Sequence, residues 1–167
     1  MHCVGDKIVY GSNGIMEIVD IREESIGDVA RRYYVLSDLR VNVSSQTYVP
    51  IDNERLVGTM RPLLTKEEIM DIISRIDTIP EAEWNDDNRV RTELFREVIE
   101  SADTEGMIAI IKAINANAIK RHEQGKKNFL ADENLMRKAE KMIFAEFSEV
   151  LGIPENEVSG FIEKHSK

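Results

Sequence analysis

The fold class this sequence predicts is α+β, with a small, bent antiparallel β module at the N-terminus and a helical bundle at the C-terminus. Three observations carry the prediction. Over the first sixty or so residues, β-branched and aromatic side chains crowd into short runs separated by turn residues. From about residue 62 onward, apolar side chains recur instead at three- and four-residue spacing. The change of pattern is sharp, which places the expected domains at 1–62 and 63–167.

In the first part the runs are "DKIVY", "GIMEIVDI", "RRYYVLSDL" and "VNVSSQTYVPI". Turn chemistry separates them at Ser12-Asn13-Gly14 and at Ile26-Gly27-Asp28, where short polar side chains and glycine admit the backbone angles a reversal needs. Four or five short strands in so little chain predict a strongly bent sheet or barrel.

The second part opens with Thr65 followed by Glu68, the spacing of a capping box, and Ile69, Ile72, Ile73 and Ile76 then share one face. This predicts a first helix over about 66–76. A second is expected from 89 or 90 to 100, with Leu94, Phe95, Val98 and Ile99 inward. A third starts near Asp103 and reaches about Glu123 on a stripe of Met107, Ile110, Ile111, Ile114 and Ala118, with Gly125 as its stop. Asp132 is the expected cap of a fourth helix over 133–151 that buries Leu135, Ala139, Met142, Ile143 and Phe147. Gly152 stops that helix, and Pro154 opens a short last one carrying Val158, Phe161 and Ile162.

Composition narrows the function classes. The chain has 167 residues, 42% of them apolar and 32% charged, which suits one medium or two small globular domains and not a disordered chain. No apolar run approaches the roughly 18 residues of a membrane span, and "MHCVGDKIVY" lacks the layout of a signal peptide. Cys3 has no partner for an internal disulfide, so the expected location is the cytoplasm, without a membrane role.

Catalytic chemistry is not advertised. His2, His122 and His165 are far apart, and no second pair at metal-ligand spacing accompanies His2 and Cys3. "YGSNG" is too short for a phosphate loop and lacks a following lysine, so a turn explains it. No carboxylate dyad and no nucleophile beside a histidine stands out. The expectation is a protein with no enzymatic activity, cofactor, metal or small-molecule substrate.

Charge raises a more specific question. The formal net charge of −9 opposes unspecific association with a polyanion. Locally the balance reverses. "KAINANAIKRHEQGKK" holds Lys112, Lys120, Arg121, Lys126 and Lys127 against Glu123 alone, and "RVRTELFR" holds Arg89, Arg91 and Arg96 against Glu93. A solvated helix face explains either cluster by itself. Beside the second lies Trp84, the only tryptophan, in "PEAEWNDDNRVRTELFR". It stands outside any periodic apolar pattern, so it either packs a corner of the fold or is held out for a partner.

At these residues a resemblance enters. "VGDKIVYGSNGIMEIVDI", "YYVL" and "YVPIDNERLVGTMRPL" are similar to the polymerase-interacting module of the CarD/CdnL family of bacterial transcription regulators. The matching positions are Gly5-Asp6, Val9-Tyr10, Gly14, Tyr33 to Leu36, Val49-Pro50, Asn53, Val57, Gly58 and Arg61. The family's tryptophan ahead of a basic helix, followed by an acidic-capped helix, resembles Trp84, Arg89 to Arg96 and "ESADTEGMIAIIKAI".

The resemblance implies a Tudor-like module that docks on the β subunit of RNA polymerase. It also implies a helical domain that contacts promoter DNA, largely independently of sequence, at the upstream edge of the transcription bubble, stabilising the open complex. On this basis Trp84 is a minor-groove wedge, and Arg89, Arg91, Arg96, Lys120, Arg121, Lys126 and Lys127 are phosphate contacts. "SSQTYVPI", with Thr47, Tyr48, Val49 and Pro50, is the expected polymerase-binding edge. Some relatives have an arginine where this chain has Tyr48, which favours edge-strand pairing over charge as the means of attachment. The alternative is a protein-interaction module that docks on polymerase or another partner without a DNA role.

Overall fold

A computed structural model describes residues 2–26, 29–40 and 45–166. The chain divides into two compact units, Met1–Leu63 and Leu64–Lys167. An antiparallel sheet makes the first and helices the second, the α+β class that the sequence predicts.

Among the described residues five strands form the sheet: β1 (Lys7–Tyr10), β2 (Ile15–Ile26), β3 (Val29–Asp38), β4 (Gln46–Pro50) and β5 (Met60–Pro62), in spatial order β4-β3-β2-β1-β5. Two of them exceed the short strands expected. β2 has 12 residues and β3 has 10, because their ladder continues to Ile26 and Val29, past the point where apolar alternation fades into charged residues. The turn expected at 26–28 falls largely outside the described residues, as does the "VNVS" portion of the predicted fourth run.

A bulge bends β2. Ile18 opposes Leu36 and Asp20 opposes Val35, which leaves Val19 as the extra residue. Its effect is one of parity. Met16 and Ile18 point into the core, and after the bulge Ile21 regains the same face. Ile8, Tyr10, Tyr34, Leu36, Val49 and Met60 complete that core. Burial pushes the Tyr10 phenol up from its ordinary value, opposed in part by the Arg55 cation. A one-turn helix not anticipated from sequence, α1 (Glu54–Val57), is capped by Asn53, whose side chain accepts from the Leu56 amide at 3.1 Å.

The helical unit contains α2 (Lys66–Ser74), α3 (Asn88–Glu100), α4 (Thr104–Glu123), α5 (Leu130–Leu151) and α6 (Glu155–His165). The capping box at α2 forms as its spacing predicts: the Glu68 amide donates to Thr65 Oγ1 at 3.2 Å and the Thr65 amide to Glu68 Oε2 at 2.7 Å. Gly152, at φ 68°, closes α5 in the left-handed conformation that favours glycine. Phe147, Ile143 and Ala139 of α5, Ile99 and Phe95 of α3, and Met107, Ile110 and Ile114 of α4 are buried, and each large apolar side chain removed from water contributes roughly 1.5–3 kcal/mol.

Two expectations are corrected. Leu94 is 47% exposed, because the inward stripe of α3 runs Arg91, Phe95, Ile99 and its first member is an arginine that a reading by apolar periodicity passes over. Asp132 does not cap α5. That helix begins at Leu130, and Asp132 lies in its first turn, 3% exposed and paired with Arg91.

Candidate functional site

Trp84 lies in the irregular segment between α2 and α3, which long side chains and backbone bonds hold to the bundle. Lys112 of α4 donates from Nζ to the carbonyls of Ile76 and Ile79, both at 2.6 Å. The Ala82 amide donates to the Ala109 carbonyl at 3.0 Å. Asp87 ends the segment as the cap of α3, its Oδ1 accepting from the amides of Arg89 at 2.9 Å and Val90 at 3.1 Å. That explains Asp87, one of the two acidic residues between the tryptophan and the arginines, since a carboxylate suits a helix N-terminus.

Arg91 is the centre of this region. It is 1% exposed, and its guanidinium lies 4.1 Å from the Trp84 ring centroid. Nε donates to Asp132 Oδ1 at 3.2 Å, and Nη2 donates to Asp132 Oδ2 and Asn88 Oδ1, both at 2.8 Å. Nη1 donates to the Asn85 carbonyl at 2.6 Å, next to the tryptophan in sequence. Phe95 meets the Trp84 ring edge to face, with centroids 6.3 Å apart. Trp84 is therefore half-buried: its ring is seated on Arg91 and Phe95 without being enclosed.

The second basic cluster adjoins this one through an aromatic ring. Arg121 lies 3.9 Å from the Phe129 centroid, and Arg91 lies 5.3 Å from the same point. Arg121 also donates from Nε to the Lys127 carbonyl at 2.8 Å, and the Lys126 amide donates to the Arg121 carbonyl at 2.8 Å. The turn after α4, which Gly125 makes at φ 66°, is thus tied to the same assembly. An open hollow of about 1100 Å³ lies beside it, lined in part by Ile119, His122, Lys126, Lys127 and Leu130.

The residues expected to meet phosphates divide into three groups. Arg89, Lys120, Lys126 and Lys127 are exposed. Arg96 is exposed but pairs with Glu93 one turn away at 2.9 Å, and Arg121 is half-buried, with its Nε engaged by Lys127. Arg91 is the correction: its burial and its four hydrogen bonds place the guanidinium inside the fold, where it cannot be presented to a backbone phosphate. Lys112, counted from sequence with the basic cluster, is engaged by backbone carbonyls.

The sequence does not single out Phe129 or Asn88, and it offers Asp132 only as a helix cap. Arg91 and Asp132 are 41 residues apart, a separation that no local pattern encodes. A signal did exist for Phe129, an aromatic between a basic loop and a helix start.

In the β unit, β4 is an edge strand that pairs only with β3 among the described residues. Val49, expected at the polymerase-binding edge, points into the core and is 0% exposed; Tyr48 is 42% exposed, and Thr47 and Pro50 are half-buried. Tyr48 belongs to a cross-strand row. Its ring meets Tyr33 of β3 edge to face at 6.1 Å, and Arg22 of β2 lies 5.5 Å from its centroid. Asp20 in turn pairs with Arg22 at 3.0 Å.

No group of acidic, histidine or cysteine side chains suited to a metal occurs among the described residues, and no helix there is long and apolar enough to cross a membrane.

Residues 3–64 match the family model of the CarD-like/TRCF RID domain. The match defines the class: a transcription-related protein whose β unit is an interaction domain of a non-enzymatic type, a type that interacts with the RNA polymerase β subunit. In that unit the chain is similar to the CarD-like RID domain. The helical unit lies outside the match. No curated protein matches the chain.

Proposed function

We propose that this protein docks on the RNA polymerase β subunit through the β4 edge and stabilises the promoter open complex by contacting DNA at the upstream edge of the bubble. The observation that carries the DNA role is the seating of Trp84. A half-buried indole, backed by Arg91 and braced by Phe95, sits on the same assembly as the basic turn of Lys126 and Lys127. A rigidly backed aromatic can fill the gap at an unstacked base step, while exposed cations nearby hold the backbone without reading sequence.

The acidic net charge is compatible with this role. Docking on polymerase raises the effective concentration of the helical unit at the promoter, so each DNA contact can be weak. Attachment through β4 uses open backbone donors and acceptors, with Tyr48 and Thr47 flanking the added strand.

Trp84→Ala tests the reading. Stacking is worth ~1–3 kcal/mol per base, so the variant is expected to shorten the open-complex lifetime about tenfold while β-subunit binding stays unchanged. Lifetimes are read by competitor challenge on a preformed promoter complex. An unchanged lifetime in a folded variant would leave a protein-interaction module without a DNA role.

A further inference from the structure

We infer that Arg91 is a positioning residue: through the Asp132 ion pair it fixes the orientation of the Trp84 ring and couples that ring to the basic turn after α4. The inference rests on the wedge reading of Trp84.

Geometry separates Arg91 from its neighbours. Every other arginine in the two basic clusters keeps its side chain at or near the surface, whereas Arg91 is 1% and Asp132 3% exposed. Desolvating two charges is costly, and a single apolar pair of similar volume would hold α3 to α5 at least as well. The pair does something an apolar pair cannot. One planar guanidinium lies 4.1 Å from the Trp84 ring centroid while its edge is locked by Asp132, Asn88 and the Asn85 carbonyl. The hydrogen bonds fix the plane, and the plane supports the indole. Phe129 extends the contact to Arg121, and Arg121 holds the Lys127 carbonyl. Trp84 and the lysine turn are therefore parts of one braced surface, although Trp84 and Lys127 come from opposite sides of α3 and α4 in the chain.

Lysine at position 91 keeps the charge opposite Asp132 but has no plane to lay against the indole and no fork for the remaining bonds. Removing both charges, in Arg91→Met with Asp132→Leu, avoids stranding a buried carboxylate.

The test uses the full-length protein and the fluorescence of Trp84, the only tryptophan in the chain. Arg91→Lys and the double variant, each shown to be folded by circular dichroism and thermal unfolding, are expected to raise acrylamide quenching of Trp84 and shift its emission. Both are expected to shorten the open-complex lifetime toward the value of Trp84→Ala, about tenfold at the limit set by one stacking contact. Added to Trp84→Ala, Arg91→Lys is expected to cause no further loss. Unchanged quenching and emission in both folded variants would overturn the inference, and so would a loss that adds fully to that of Trp84→Ala. If Trp84→Ala itself leaves the lifetime unaltered, the wedge reading fails, while quenching still reports whether Arg91 positions the ring.

Discussion

Lys112 donates from Nζ to the carbonyl oxygen of Ile79 at 2.6 Å, joining α4 to the segment ahead of Trp84 across 33 residues of sequence. The same ammonium holds the carbonyl of Ile76 at 2.6 Å and that of Asp77 at 3.2 Å. A lysine that reads as part of a basic surface is therefore a structural clamp on the approach to the tryptophan.

Lys112→Met is expected to destabilise the protein by about 1–3 kcal/mol, because partly buried carbonyls lose a charged donor and gain no replacement. Amide exchange should quicken from about residue 76 to 84 before it changes in α5. Thermal unfolding together with hydrogen exchange checks this; uniform protection along the segment would contradict the clamp.

Gly106 faces the close approach of α3 to α4. A β-carbon there would lie 2.6 Å from Asp103 Oδ2 and 2.7 Å from Val98 Cγ1. Alanine at a helical position gains up to ~1 kcal/mol of propensity, but overpacking typically costs ~1–3 kcal/mol. Val98 is stiff at χ1, so the clash is expected to win and Gly106→Ala to lower the melting temperature. Binding to the β subunit should survive, because that surface is on the other unit.

Charge reversal at Lys126 and Lys127 is expected to weaken stabilisation of the promoter complex without weakening attachment to polymerase. Each lost phosphate contact should reduce the logarithmic salt slope by ~0.9 on duplex DNA, so the variant and the parent converge as salt rises. Arg89→Glu should act in the same direction. Lifetimes measured across a salt series distinguish this from a fold defect, which would persist at every ionic strength.

Met1–Leu63 forms a compact unit with its own core of Ile8, Met16, Ile18, Leu36 and Val49, so a fragment ending at residue 64 is expected to fold alone and bind the polymerase β subunit. Circular dichroism establishes folding, and calorimetric titration with the β subunit reads binding. A folded fragment that fails to bind would move the docking surface away from β4.

By itself the sequence determined the α+β class, the order of strands before helices, the capping box at Thr65 and Glu68, and the helix stop at Gly152. These depend on neighbours a few residues apart, where periodicity and backbone preference act directly. It also drew attention to Trp84 and to both basic clusters. Tertiary structure alone decided what the cations do. Arg89 and Arg91 are two residues apart with the same chemistry, yet one is exposed and the other sits under the tryptophan against Asp132. Helical geometry points them in different directions, and only the packing of α5 against α3 settles which one meets a buried carboxylate. The same holds for Val49 and Tyr48 on β4, adjacent in sequence and on opposite faces of the sheet. Composition records that a charge exists; burial and the partner across the fold determine whether that charge supports the structure or is available to bind.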